Sequence, residues 1–189
     1  MCHMKIAAIL IALLVVIVGA IALWGSKAVT VDRPAVQRTA SEPMKPTFES
    51  GKKSATLFFL AGDGNSFHEE VREIGSEATT TEEAKRILTE LMNGPKSSTL
   101  AAAVPREAQL LNLFIDSFGT AYVDFNRGLR DGLSGGAQAE LYAVFSIVNT
   151  LASNFVQITH VQILVEGTEI PTLAGHVDTR MPLSPQYVF

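Results

Sequence analysis

The sequence predicts an α+β fold: a two-layer domain with two helices packed on one face of a mixed β-sheet, preceded by one transmembrane helix. Three observations predict it. Two pairs of short apolar runs with strand character are each followed by a segment of helical periodicity, and a last apolar run closes the series, giving the order ββα, ββα, β and a short return. An uncharged stretch of nineteen residues stands near the amino terminus. Between the two lies a polar, proline-bearing segment.

The uncharged stretch runs from Ile6 to Trp24, "IAAILIALLVVIVGAIALW". At about 1.5 Å per residue it spans roughly 28 Å as a helix, the thickness of a bilayer's hydrocarbon core. It reads as a transmembrane helix or signal anchor. Ser26 and Ala28 offer a small-x-small cleavage site, but the apolar run exceeds the roughly 7 to 15 residues of an exported leader, which favours an uncleaved anchor. Lys5 on one side faces Lys27, Arg33 and Arg38 on the other, so charge counting leaves the orientation open. A short polar head followed at once by an apolar run resembles an export signal, which places the carboxyl-terminal domain outside the cytoplasm. Residues 25–53, with Pro34, Pro43 and Pro46, read as a flexible linker of about 30 Å root-mean-square reach. The domain is expected over residues 54–183, and residues 184–189 as a tail.

Within the domain "SATLFFLA" (residues 54–61) is rich in aromatic and aliphatic residues and ends at the turn formers "GDGN", as a buried strand does. "FHEEVREI" (residues 67–74) is charged on both faces and suits the edge of a sheet, where charge discourages stray pairing. In "TTTEEAKRILTELMNGP" Thr80 is placed to cap a helix with Glu83 three residues on. Ala84, Ile87, Leu88, Leu91 and Met92 form one stripe, and Gly94 and Pro95 end it. A polar loop leads to Val104 and Pro105. Strands are expected at Leu110 to Asp116 and Thr120 to Asp124 around the turn "SFG". A second helix behind Ser134 sets Leu141, Val144, Phe145, Val148, Leu151 and Ala152 at helical spacing. Ala139, Tyr142 and Ile147 make its far side apolar too, so it is expected across the sheet at the centre. "ITHVQILVEG" is a further strand, turned back by Glu166 and Gly167 into "TEIPTL".

With 47% hydrophobic residues, 18% charged and 189 in all, the chain has material for one ordinary core and an appendage. A net charge of -4 argues against a nucleic-acid partner, because phosphate binding needs a concentrated positive surface. Cys2 is the only cysteine and precedes the apolar run, so the domain can form no internal disulfide.

Candidate chemistry is thin. In "DGNSFHEE" Asp63 and Asn65 suit positions 1 and 3 of a calcium loop, but Phe67 and His68 stand where a ligand and the sharp-turn glycine belong. The stretch reads as a solvated turn. His68, His160 and His176 lack metal-ligand spacing, although His176 with Asp178 has the look of a fragment of a site. Asp116, Asp124 and Asp131 fall near the ends of the second strand pair and, in one cleft, would supply the acid and base of a cell-wall hydrolase; strand-end aspartates are also ordinary turn formers. "GLSGG" (residues 132–136) is neither a Walker loop nor a dinucleotide fingerprint. No catalytic, cofactor-binding or metal-ligating residue is assigned, and no cofactor is expected.

Several stretches together resemble the GerMN domain of spore-germination, sporulation and other bacterial envelope proteins: "AKRILTELMNGP" (84–95), "AVP" (103–105), "GTAYVDFN" (119–126), "ELYAVFSIVNTLASNF" (140–155), "VQILVEG" (161–167) and "TLAGHVD" (172–178). They stand in the family's order over nearly the whole domain. The resemblance implies an extracytoplasmic α/β module that serves envelope assemblies, is similar to ring-building folds of secretion and sporulation machines, and brings no established enzymatic residues. Some members are lipoproteins and some hold two copies of the domain, whereas this chain shows an apolar helix and one copy. The expected role is therefore a membrane-anchored binding or scaffold module whose partner is an envelope protein or peptidoglycan. A homo-oligomer built through the charged edge strand is one form it takes, and an envelope hydrolase using Asp116 or Asp124 is the alternative.

Overall fold

The computed structural model describes residues 51–188. The segment 6–24 and all but the end of the linker 25–53 lie outside the described residues, among which no helix is long and apolar enough to cross a membrane.

The first strand, β1 (Lys52–Ala61), turns through "GDGNS" into β2 (Phe67–Gly75), and the two pair antiparallel from Lys52 opposite Gly75 to Leu60 opposite Phe67. Helix α1 (Thr80–Met92) follows. Its cap is Thr79 rather than Thr80: the Thr79 hydroxyl accepts the Glu82 N–H at 3.2 Å, while Glu83 turns to Lys53 instead of closing a capping box. Gly94 takes the left-handed conformation at φ 81° just past the helix, as its place before Pro95 implies. The expected polar loop contains a two-residue strand, β3 (Leu100–Ala101), on the free side of β1.

The second half holds β4 (Leu110–Ile115), β5 (Thr120–Phe125), a single helical turn α2 (Gly128–Asp131), the long helix α3 (Gly136–Asn154), β6 (His160–Val165) and β7 (Thr168–Glu169). Strands β4 and β5 are antiparallel, β5 and β6 parallel through the α3 crossover, and β6 and β7 antiparallel. Glu166 and Gly167, at φ 53° and 74°, make the tight β6–β7 turn, whose two positive values match the twist of a hairpin.

The single mixed sheet expected from the sequence is instead two sheets among the described residues, β2-β1-β3 and the mixed β4-β5-β6-β7. The reason lies in α3. Its apolar residues Val144, Ile147, Val148 and Leu151 are fully buried, but a polar stripe at four-residue spacing, Ser146, Thr150 and Asn154, faces the open edge of β1. Asn154 accepts the Thr56 N–H at 2.9 Å and donates to its carbonyl at 2.7 Å. Thr150 accepts the Phe58 N–H at 3.1 Å, and Ser146 donates to the Phe58 carbonyl at 2.6 Å. Helix side chains thus occupy the main-chain groups that another strand would need, and β1 takes only β3 on that side.

Both sheets nevertheless share one core. Ala55, Leu57 and Phe59 of β1 pack in the same buried cluster as Ile87, Leu88 and Leu91 of α1, Ala121, Val123 and Phe125 of β5, and Val161, Ile163 and Val165 of β6. Alternate residues of each strand face inward, as a period of two requires. The charges of β2 are not all solvent-facing. Arg72 is only 5% exposed and closes the end of α1, giving its guanidinium to the carbonyls of Glu90 at 2.9 Å and Gly94 at 2.6 Å and to the carboxylates of Glu70 and Glu90. Residues 184–188 also lie against the domain: Asn149 exchanges two hydrogen bonds with the main chain of Gln186, and Tyr187 packs on Phe58.

Candidate functional site

The second turn of α3 carries a carboxylate with no exposure to solvent, Glu140. One oxygen accepts the N–H groups of Leu173 and Ala174, both at 2.8 Å; the other accepts the His176 N–H at 2.7 Å and faces the His176 Nδ1 at 3.1 Å. Burial alone pushes such a group up. Here the main-chain donors at Ala174, His176 and Val177, together with the His176 ring, outweigh burial and hold the carboxyl below its ordinary value. Glu140 therefore clamps the loop after β7 onto the helix. The contact with Glu140 at Nδ1 also fixes the orientation of the His176 ring.

Beside this clamp lies a cavity of about 470 Å³, lined by Asn65, Gln138, Leu141, Tyr142, His176 and Val177. One wall is the "DGNS" turn. Asp63 holds it by accepting the Asn65 N–H at 3.1 Å, as in an ordinary Asx turn. Gln138 reaches across from α3 to Asn65 Oδ1 at 3.3 Å and to the Gly64 carbonyl at 3.4 Å. On the other side of Asn65 a second cavity of about 210 Å³ is lined by Ser66, Phe67, Tyr187 and Val188. Phe67 meets Tyr142 and Phe58 edge to face, at centroid distances of 5.2 and 6.1 Å, and Tyr187 lies 5.4 Å from Phe58. A larger hollow of about 890 Å³ is lined by Lys96, Arg106 and Glu107 among mostly small residues. It lacks the buried acid and oriented imidazole that distinguish the pair of cavities at Asn65.

Of the residues singled out in the sequence, Asn65 and His176 come together at the larger of these two cavities and the others are dispersed. Asp116 accepts the N–H groups of Phe118 and Thr120, at 2.9 and 2.8 Å, and so shapes the β4–β5 turn. Asp124 accepts the Gly167 N–H at 2.7 Å and holds the β6–β7 turn. Four residues of extended strand separate Thr120 from Asp124, about 13 Å, so the two acids sit at opposite ends of β5 and share no cleft. Asp131 pairs with Arg130 at 3.0 Å. His68 stands opposite Phe59 on β2 and His160 opposite Thr120 on β6, and no group of three metal-ligating side chains forms among the described residues. Asp178 does not join His176: hydrogen bonds from the Arg180 guanidinium at 2.6 and 2.9 Å hold its carboxyl down at about 2.

Glu140, Asn65 and Gln138 are the residues that matter most here, and periodicity did not assign them. A lone charged residue on a helix dense in apolar residues was the available signal for Glu140.

The family model described as Germane, sporulation and spore germination, matches residues 56–171. Three solved structures have the same fold. The tandem GerMN domains of the sporulation protein GerM from Bacillus subtilis align with a TM-score of 0.55 at 17% identity, covering 71% of this chain and 46% of that one. The first GerMN domain of the same protein gives 0.51 and 19%, covering 72% and 97%. A candidate lipoprotein from Clostridium perfringens gives 0.51 and 22%, covering 71% and 88%. No curated protein matches. At these identities the structural likeness is one of fold, and it agrees with the ordered GerMN motifs in the sequence. With a family match over more than half of its 189 residues, the chain belongs to the Germane family of sporulation and spore-germination domains.

Proposed function

We propose that the chain is a binding and scaffold module of the bacterial cell envelope, serving sporulation or germination. In this reading Ile6–Trp24 anchors it in the cytoplasmic membrane and the domain lies on the extracytoplasmic side, where it binds an envelope protein or peptidoglycan. One observation carries the reading: Asp116 and Asp124, the acids of the hydrolase alternative, are engaged by main-chain N–H groups of turns, while the hollows at Asn65 stay open. Family membership supports the cellular setting, as does the description of one structural neighbour as a candidate lipoprotein. A long linker would give reach while keeping the module concentrated near the membrane.

Two measurements test it. Chemical cross-linking in intact cells, followed by capture of the full chain, is expected to enrich an envelope component that disappears when residues 6–24 are deleted. A phosphatase reporter fused after Phe189 is expected to be active only if that end lies outside the cytosol. A reporter confined to the cytosol, or turnover of cell-wall polymer by the purified chain, overturns the proposal.

A further inference from the structure

We infer that the two cavities flanking Asn65 form a groove for a glycan of N-acetylated sugars, adjacent sugar units occupying adjacent cavities. The inference rests on the envelope-module reading and names a ligand for it.

Shape gives the first argument. Hollows of about 470 and 210 Å³ meet at one residue, Asn65, which suits consecutive units of a polymer better than one compact ligand. Chemistry gives the second. Gln138 gives its NH2 to Asn65 Oδ1 and the Gly64 carbonyl and so keeps its side-chain oxygen as an acceptor, while the Asn65 NH2 is a donor, together the complement of an acetamido N–H and C=O. Leu141 and Val177 supply an apolar wall for the acetyl methyl group, and the His176 imidazole is a polar partner for a sugar hydroxyl. No lysine or arginine lines either cavity among the described residues, so a phosphate or carboxylate ligand would find no counter-charge. In the smaller cavity Tyr187 is 47% exposed, and its ring offers an apolar face for sugar C–H groups with its hydroxyl tied to Ser153 at 3.1 Å.

Preorganisation is the third argument. Gln138 is tied to Asn65 and His176 to the buried Glu140, so binding would order few side chains.

The test uses the full chain in a detergent without sugar headgroups. Three probes are compared by saturation-transfer NMR and calorimetry: a tetramer of N-acetylglucosamine, the same tetramer with its acetyl groups removed, and an uncharged tetrapeptide. The acetylated tetramer is expected to bind, with its methyl protons most strongly saturated. Gln138→Ala and Tyr187→Ala are each expected to weaken it tenfold or more, in chains whose thermal midpoints remain within a few degrees of the parent. Absence of binding overturns the inference. So does equal binding of the de-acetylated tetramer, preference for the peptide, or variants that bind as the parent does. If the glycan fails while cross-linking still captures a membrane-dependent envelope protein, the module reading stands and this one falls; if both fail, both fall.

Discussion

The hydroxyl of Ser146 in α3 donates a 2.6 Å hydrogen bond to the carbonyl of Phe58 in β1, joining a helix to a strand 88 residues earlier in the chain. Both residues are buried, so no water stands by to replace the bond. With Thr150 and Asn154 one and two turns on, it closes a strand edge that would otherwise be open to another chain.

Removing that cover should cost stability in proportion to the main-chain groups left unpartnered. Ser146→Ala orphans one carbonyl and is expected to cost about 1–2 kcal/mol. Asn154→Ala strands both the N–H and the C=O of Thr56 and is expected to cost about 2–3 kcal/mol. Urea unfolding midpoints check both values. The double variant should also self-associate more readily, which sedimentation detects; unchanged midpoints in both single variants would show that the bonds do not hold the edge.

Glu140 makes stability depend on acid. Its folded pKa lies below the ordinary 4.5, so its contribution is fully present above that value and is lost as pH falls through the folded one. Glu140→Gln removes the charge from a site of main-chain donors and is expected to cost about 2–3 kcal/mol at neutral pH. The gap between parent and variant should shrink steadily below pH 4.5. Denaturation curves at pH 7, 4 and 3 decide it, and a gap that stays constant across them refutes the clamp.

Much of this architecture was legible in the sequence because it follows from local rules. The stripe Ala84, Ile87, Leu88, Leu91 and the stop at Gly94 specify α1, and "GDGNS" between apolar runs specifies the β1–β2 hairpin. The division into two sheets was not legible, because it depends on side chains of α3 reaching the main chain of a strand about ninety residues away. Hydropathy scores Ser146 and Thr150 only as weak interruptions of an apolar helix. The same holds at the site. "DGNS" announces a turn, but nothing local brings Gln138 to Asn65 across 73 residues, or the loop after β7 to Glu140.

Arg72 is expected to behave as a structural cation. Its guanidinium serves two carbonyls at the end of α1 and two carboxylates at once, and it lies over the Phe59 ring at 5.4 Å. Arg72→Met is expected to cost about 3 kcal/mol by leaving the two carbonyls without that donor and the Glu70 carboxylate with only the Lys96 and Ser97 N–H groups. Arg72→Lys should recover less than half of that loss, since a single ammonium cannot reproduce the fork. Thermal or urea unfolding of the two variants side by side provides the check, and a lysine variant as stable as the parent would show that charge alone suffices.

Asp116 and Asp124 separate a structural role from a catalytic one. Each acid accepts main-chain N–H groups of a turn, so alanine at either position is expected to cost about 1.5–3 kcal/mol, the usual worth of a hydrogen bond to a charged group. The turns stand at opposite ends of β5, so the two losses should add within a few tenths of a kcal/mol. Asparagine retains an acceptor oxygen and should restore part of the stability at each site. If either acid were a general acid or base, Asp→Asn would instead abolish function at full stability, because an amide cannot carry the proton. Partner capture from intact cells by the double asparagine variant, at a temperature well below its unfolding midpoint, discriminates the cases. Retained capture is expected, and loss of function in a folded double asparagine variant would return these aspartates to the list of reacting groups.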